Sequence, residues 1–341
     1  MIRICGDVSL TDGYFDVGFG LGSLVKKGEN PLSDMDKGKD FWIGNFEGVA
    51  SDTSTLCEAA ALQFRIEPRF LDEPLKLFDV LGVANNHVMQ HGVEAYENTV
   101  KALHGKGKKI FGSKTIKTTS FEVDGKLFSI TGFSQRIDQF SNNPSYWHNP
   151  DYVDIEEEYD SLPKDCYKII YVHWGNEYIN RPSQSQVFFA HMLVDMGFDL
   201  VIGMHPHVLQ GFEIYKSKYI FYSLGNFSFD MPWERTQYGA IINLTIDGAE
   251  VKISYDYIHI NSELKTSIIK EQLVPVDFRF CTLNPLVLCI DNGEQYFAQV
   301  NKFYKQYRKA NHKDIAKKII RHPASAFQII GGFIKRRIIK K

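Results

Sequence analysis

Three histidines in two short motifs have the strongest claim to chemistry. His205 and His207 stand in GMHPH after an apolar run, and His173 follows YKIIYV in the motif HWG. Two histidines at i and i+2 on a tight turn can aim at one cluster of metals, and neutral imidazole is the commonest metal ligand. A turn with two solvated histidines is the plainer alternative for GMHPH, and a satisfied core histidine for His173. Three histidines at two strand ends favour the metal reading, because such ends converge on one edge of an α/β sheet. Asp7 in GDVSL and Glu47 in GNFEG supply carboxylates. Either alone could be a turn former or a cap. Beside the histidines they offer hard oxygen ligands, and a dinuclear site needs an anion to bridge its cations. Asn85-Asn86-His87 is the third cluster. An Asn carbonyl is a neutral ligand that leaves positive charge on a metal, and a nearby non-ligand His can give a proton to a leaving group. The plainer reading is a polar turn, since Asn tolerates left-handed backbone.

The elements that must position these residues repeat one grammar. Six apolar runs, at 1–5, 41–43, 78–84, 167–172, 200–202 and 219–224, each stop at a Gly, Asn, Asp or His cluster. Buried strands read as such continuous apolar runs. Helical spacing predicts helices over 69–78, 92–103 and 184–196, the last with Ser183 as N-cap and Gly197 as its stop. Asp124-Gly125 and Asp247-Gly248 sit between β-rich runs and predict hairpins, so the sheets are mixed. The stretch 138–163, polar and aromatic with several prolines, reads as a long surface insertion near the site mouth. The core pattern ends near residue 260. That gives one α/β domain over 1–260 and a mostly helical C-terminal extension over 261–341.

The chain has 341 residues, with 44% hydrophobic and 23% charged, so it can bury a large core without disulfide staples. The net charge of −2, and the lack of a basic-aromatic stripe, argue against a nucleic-acid partner. Cys5, Cys57, Cys166, Cys281 and Cys289 form no CxxC pair and read as a reduced, cytosolic set. The N-terminus lacks the pattern of a signal peptide, which points to a cytoplasmic protein. The end, 324–341, is apolar and then basic. It reads as a packed helix or as a peripheral contact with an anionic membrane surface.

Five stretches in order carry a family resemblance: GDVSL, NFEG, the run FRIEP to FDVLGVANNH, HWGNEY, and DLVIGMHPHVLQ followed by YSLGNFSFD. Together they resemble the poly-gamma-glutamate capsule synthesis (CapA-type) family, which is similar to the calcineurin-like metallophosphatases. The match covers about residues 1–260. The resemblance implies a four-layer sandwich, two mixed β-sheets flanked by helices. It implies metal ligands at Asp7, Glu47, Asn86, His173, His205 and His207, with Glu47 in the bridging place. It implies His87, Asp7 and Glu177 as catalytic residues, and substrate contacts from Asn45, Asn85, Gln210 and Asn226. Ser9 stands where metallophosphatases generally carry a histidine, so one ion is expected to be held more weakly or to be absent. The expected cofactor is two divalent transition-metal ions, Mn, Fe or Zn. They would lower the pKa of a shared water toward neutrality. The expected substrate is a capsule or envelope polymer with poly-gamma-glutamate-like amides, or a phosphorylated precursor. The alternative is a non-catalytic, metal-stabilised component that binds a polymer or a synthase partner.

Overall fold

A computed structural model describes residues 1–14, 16–56, 60–283, 293–321 and 323. Cys57, Cys289 and the segment 324–341 lie outside the described residues. The first half of the chain runs β1 (Ile2–Val8), α1 (Leu21–Lys26), β2 (Phe41–Phe46), β3 (Val49–Ala50), β4 (Arg65–Ile66), α2 (Asp72–Leu75), β5 (Val80–Gly82), α3 (Val93–Gly105), β6 (Lys109–Phe111), β7 (Thr118–Val123) and β8 (Lys126–Ser134). The second half runs α4 (Tyr152–Asp160), β9 (Tyr167–His173), α5 (Gln184–Met196), β10 (Leu200–Met204), β11 (Phe212–Tyr215), β12 (Lys218–Phe221), β13 (Asn226–Ser228), β14 (Tyr238–Asp247), β15 (Glu250–Ile260), β16 (Thr266–Ile269) and α6 (Gly293–Arg321).

Two mixed sheets result. The larger has the order β16-β15-β14-β1-β2-β5-β6, with β13 beside β1, and the smaller has β11-β12-β10-β9-β8-β7. The central strands β1, β2 and β5 are parallel, as are β8, β9 and β10, and they are buried almost throughout. That is why they read as unbroken apolar runs. Both Asp-Gly pairs close hairpins, β7–β8 and β14–β15, with Gly125 and Gly248 in left-handed backbone. The sheets pack face to face around Ile4, Ile43, Phe128, Ile169, Ile202 and Ile242. Tyr171 ties them together by donating its hydroxyl to the Cys5 carbonyl at 2.9 Å. Residues of α1, α2 and α3 (Leu21, Leu75, Leu103) cover the outer face of the larger sheet, and α4 and α5 cover the smaller one through Ile155, Val187 and Leu193. The result is the expected four layers.

Helix α5 keeps its expected bounds because both ends are specified. Ser183 Oγ accepts from the Gln186 N–H, Gln186 Oε1 accepts from the Ser183 N–H, and Gly197 takes φ 121°. The expected helix over 69–78 shrinks to a tight turn at Pro68–Phe70 and the single turn of α2. Pro74 is tolerated in a first turn, but further in it would lack an N–H and clash with the carbonyl of residue 70. The 138–163 stretch is not a plain surface insertion. It carries α4 and buries Tyr146, Trp147, Ile155 and Leu162. Past residue 260, β16 adds an edge strand to the larger sheet, and α6 follows.

Candidate metal centre

The carboxyl ends of neighbouring parallel strands bring the candidate residues together. Asp7 lies near the end of β1, Glu47 directly follows β2, and Asn85 to His87 follow β5. From the other sheet, His173 ends β9 and His205 follows β10. Gly6 permits the approach of β13, since a Cβ there would collide with the Gly225 carbonyl oxygen. The GMHPH turn is strained: His205 has φ 98° and His207 has φ 58°. Left-handed backbone at a non-glycine residue costs roughly 1–3 kcal/mol and gathers at functional sites.

Two groups of donor atoms share one residue. Asp7, Glu47 and His207 present ligand atoms within 4.8 Å of one another, and so do Glu47, His173 and His205. Glu47 is the common member. His207 Nδ1 is 3.5 Å from Asp7 Oδ2, and His207 Nε2 is 3.9 Å from Glu47 Oε1. On the other side, His173 Nε2 lies 2.8 Å from Asn86 Oδ1 and 3.1 Å from His205 Nδ1. A third group, Glu177 with His205 and His207, overlaps both. All six expected ligands are therefore in one place, with Glu177 beside them.

Outer partners hold these side chains in position. Asp7 accepts from Asn45 Nδ2 at 2.8 Å and from the His205 backbone N–H at 3.2 Å. Asn45 in turn accepts from Asn85 Nδ2 at 3.1 Å, and Asn85 Oδ1 accepts from the N–H groups of His87 and Val88. Asn226 Nδ2 donates to the Thr236 carbonyl at 2.9 Å, so its Oδ1 faces His207 Nδ1, also at 2.9 Å. His207 is thus the Nδ1–H tautomer, and its Nε2 lone pair is free toward Glu47. This is how proteins usually orient a metal-binding imidazole. His87 is set the same way. Its Nδ1–H donates to Gln90 Oε1 at 2.9 Å, and Phe64 stacks on the ring at 3.9 Å.

Electrostatics fit a cation. Glu47 is fully buried, and neither carboxylate oxygen has a hydrogen-bond partner. Burial, and then the charge of Asp7, push its carboxyl well above the usual range. Burial also lifts Asp7, against the pull of His207 and the Asn45 hydrogen bond. Burial first, and neighbouring histidines second, hold His173 and His205 well below the ordinary imidazole value. Neutral imidazole is the form a metal binds. A buried carboxylate without a donor is expensive. Set among neutral imidazoles and a second acid, it is what a divalent cation would satisfy, so the residues fit the implied metal.

A cavity of about 630 Å³ opens onto this cluster, with Asn86, His87, His207, Glu177 and Ser9 on its wall. Asn45, Asn85, Gln210 and Asn226 were expected to touch substrate, but none lines the cavity and all are sealed. Gln210 Nε2 donates to the carbonyls of Ile179 and Arg181, and the three asparagines hold other site residues. The structure gives all four a positioning role instead. Sequence reasoning missed Gln90, whose only signal was its place three residues after His87. It also missed the far wall, built by Tyr304, Tyr307, Arg308 and Lys318 of α6 and by Asp16 and Asp230.

The family model for the bacterial capsule synthesis protein PGA_cap matches residues 2–231. Among curated proteins, capsule biosynthesis protein CapA of Bacillus anthracis is 35% identical over 228 residues, 60% of this chain and 54% of that protein. PGA biosynthesis protein CapA of Bacillus subtilis is 30% identical over 221 residues, 60% of this chain and 57% of that protein. The chain thus spans somewhat over half the length of these curated relatives. A solved phosphatase structure from Mycoplasma pneumoniae aligns with a TM-score of 0.41 at 14% identity, covering 79% of this chain and 92% of that one.

Proposed function

The chain belongs to the bacterial capsule synthesis protein PGA_cap family, and from that premise we propose that it is a metal-dependent hydrolase or transferase acting on amide links of a poly-gamma-glutamate-type capsule polymer. One observation carries the reading. Glu47, buried and without a hydrogen-bond partner, is shared by two sets of ligand atoms. Asp7 and His207 would hold one divalent ion, and Asn86, His173 and His205 the other, with Glu47 between them. N and O ligands of this kind suit Mn, Fe or Zn. Such ions, when bound, polarise a reacting carbonyl or phosphoryl oxygen and lower the pKa of water.

The chain's own residues supply orientation and proton transfer. Burial pushes His87 down to about 4, so its imidazole is neutral at physiological pH. With Nδ1–H fixed on Gln90, the free Nε2 can only accept a proton first. His87 therefore takes a proton from the attacking water or hydroxyl and returns it to the leaving amine. Glu177, on the cavity wall beside His205 and His207, can accept a hydrogen bond from the incoming group. Tyr14, Phe64, Phe140 and Phe229 add an aromatic stretch to the wall, which strengthens charge interactions beside it. Among the described residues no helix is long and apolar enough to cross a membrane.

The test uses the full chain loaded with Mn, Fe or Zn. It measures metal content together with turnover of γ-glutamyl amide oligomers and of generic phosphoesters. About two ions per chain with γ-glutamyl amide turnover is the expected result. No tightly held metal, and no turnover of either substrate class, would overturn the reading in favour of a non-catalytic polymer- or synthase-binding component.

A further inference from the structure

The far end of the same cavity carries a second group of charges that the metal centre does not use. Asp16 is only 3% exposed, and its Oδ2 has no hydrogen-bond partner. The loop around it is built to fit the carboxylate, since a Cβ on Gly20 would collide with Asp16 Oδ2. Its neighbour Asp12 does structural work, accepting from the N–H groups of Gly18 and Ser23 and from the Ser23 hydroxyl. Asp16 has no comparable duty for its Oδ2 and lines the cavity together with Asp230. The cation that meets these acids arrives from α6. Lys318 Nζ lies 3.4 Å from Asp230 Oδ2 and 3.0 Å from Asp314 Oδ2, with the Phe19 ring centroid 5.8 Å away. Burial opposes the charge on Lys318, but Asp230, Asp16 and Asp314 outweigh it and raise the ammonium above its usual value.

We propose that Asp16 and Asp230 form a subsite for a primary ammonium group of the ligand, and that Lys318 fills it in cis as a displaceable stand-in. The Asp230 carboxylate, the buried carboxyl of Asp16 beside it and an aromatic face are a recognition set for an ammonium head. A lysine supplies that head on a flexible four-carbon stem. The Lys318 side chain remains 19% exposed, so it can swing into solvent and leave the acids to an incoming amine without lifting the helix. A ligand with an amine at one end would then be anchored opposite the metal-facing wall, and α6 would act as a built-in competitor.

The probe is n-butylammonium chloride, titrated calorimetrically at neutral pH into the full-length protein, with n-butanol as the uncharged control. The readout requires neither metal nor turnover, so it stands or falls separately from the metal centre. A tethered competitor acts at an effective concentration in the millimolar range, so Lys318→Met should bind the probe at least about tenfold more tightly than wild type. Lys318→Gln should do the same, and adding Asp230→Asn to either variant should abolish binding. Equal affinity in wild type and both lysine variants would overturn the proposal. So would equal binding of n-butanol or preferential uptake of Mg²⁺.

Discussion

Replacing Glu47 with glutamine should separate two quantities that ordinarily move together: the stability of the metal-free protein and its response to metal. Glutamine keeps the shape of the side chain and removes its charge. In the metal-free protein that carboxyl is buried, lacks a hydrogen-bond partner and faces Asp7, and burial favours its uncharged form. Its loss should therefore leave the melting point unchanged or raise it. With metal the sign reverses. Losing an outer partner of a metal ligand typically costs 10–100-fold in affinity, so losing the carboxylate shared by both ligand sets should cost roughly 100-fold or more. At a metal concentration about 100 times the wild-type Kd, binding stabilises the wild type by about 2.7 kcal/mol. For a chain of 341 residues that is about 4 °C in Tm. Glu47→Gln should show almost none of it. Thermal melts of both proteins, with and without Mn, Fe or Zn, make the comparison. A variant that keeps its full metal-induced shift, with unchanged metal content, would refute the assignment of Glu47 as the shared ligand.

Other substitutions separate binding from chemistry. His87→Asn should lower kcat by about 10²–10⁴-fold while metal content stays the same, because His87 moves protons and holds no ion; a change confined to KM would contradict that role. Asn226→Ala leaves His207 Nδ1 without its acceptor and should weaken metal binding by about 10–100-fold, read by competition with a chromogenic chelator. Asp16 has its carboxyl raised well above the usual range, by burial first and by Asp230 next. The folded chain therefore holds a proton that the unfolded chain releases, and stability falls as pH climbs from about 4 through the folded value. Asp16→Asn should shrink the loss of stability that sets in as pH rises above about 4 in urea melts; an unchanged slope would assign the pH dependence to other groups.

The cluster of candidate ligands was legible because its members sit at or just past the ends of strands whose apolar runs are continuous. Parallel strands buried on both faces leave no alternation to confuse, and their ends must converge. Asn45, Asn85 and Asn226 were harder. Their polar character showed, but the site residues they hold, Asp7, Asn45 and His207, lie 38, 40 and 19 residues away. Whether an asparagine faces a substrate or a neighbouring ligand depends on which side of the strand end is sealed. The wall contributed by α6 was not legible at all. Nothing in the spacing of Tyr304, Tyr307 or Lys318 says that their helix returns to the mouth of a site assembled by residues 7–226. The helix over 69–78 failed for a local reason, since Pro74 was outweighed by the apolar spacing around it.

Crystals soaked in Mn²⁺ or Zn²⁺ and measured at the absorption edge of that metal would put the shared-carboxylate arrangement to its most direct trial. Two anomalous peaks are predicted, one on the Asp7–His207 side of Glu47 and one on the side of Asn86, His173 and His205. A cluster without any peak, or an ion bound with the Glu47 carboxylate turned away from it, would contradict the account.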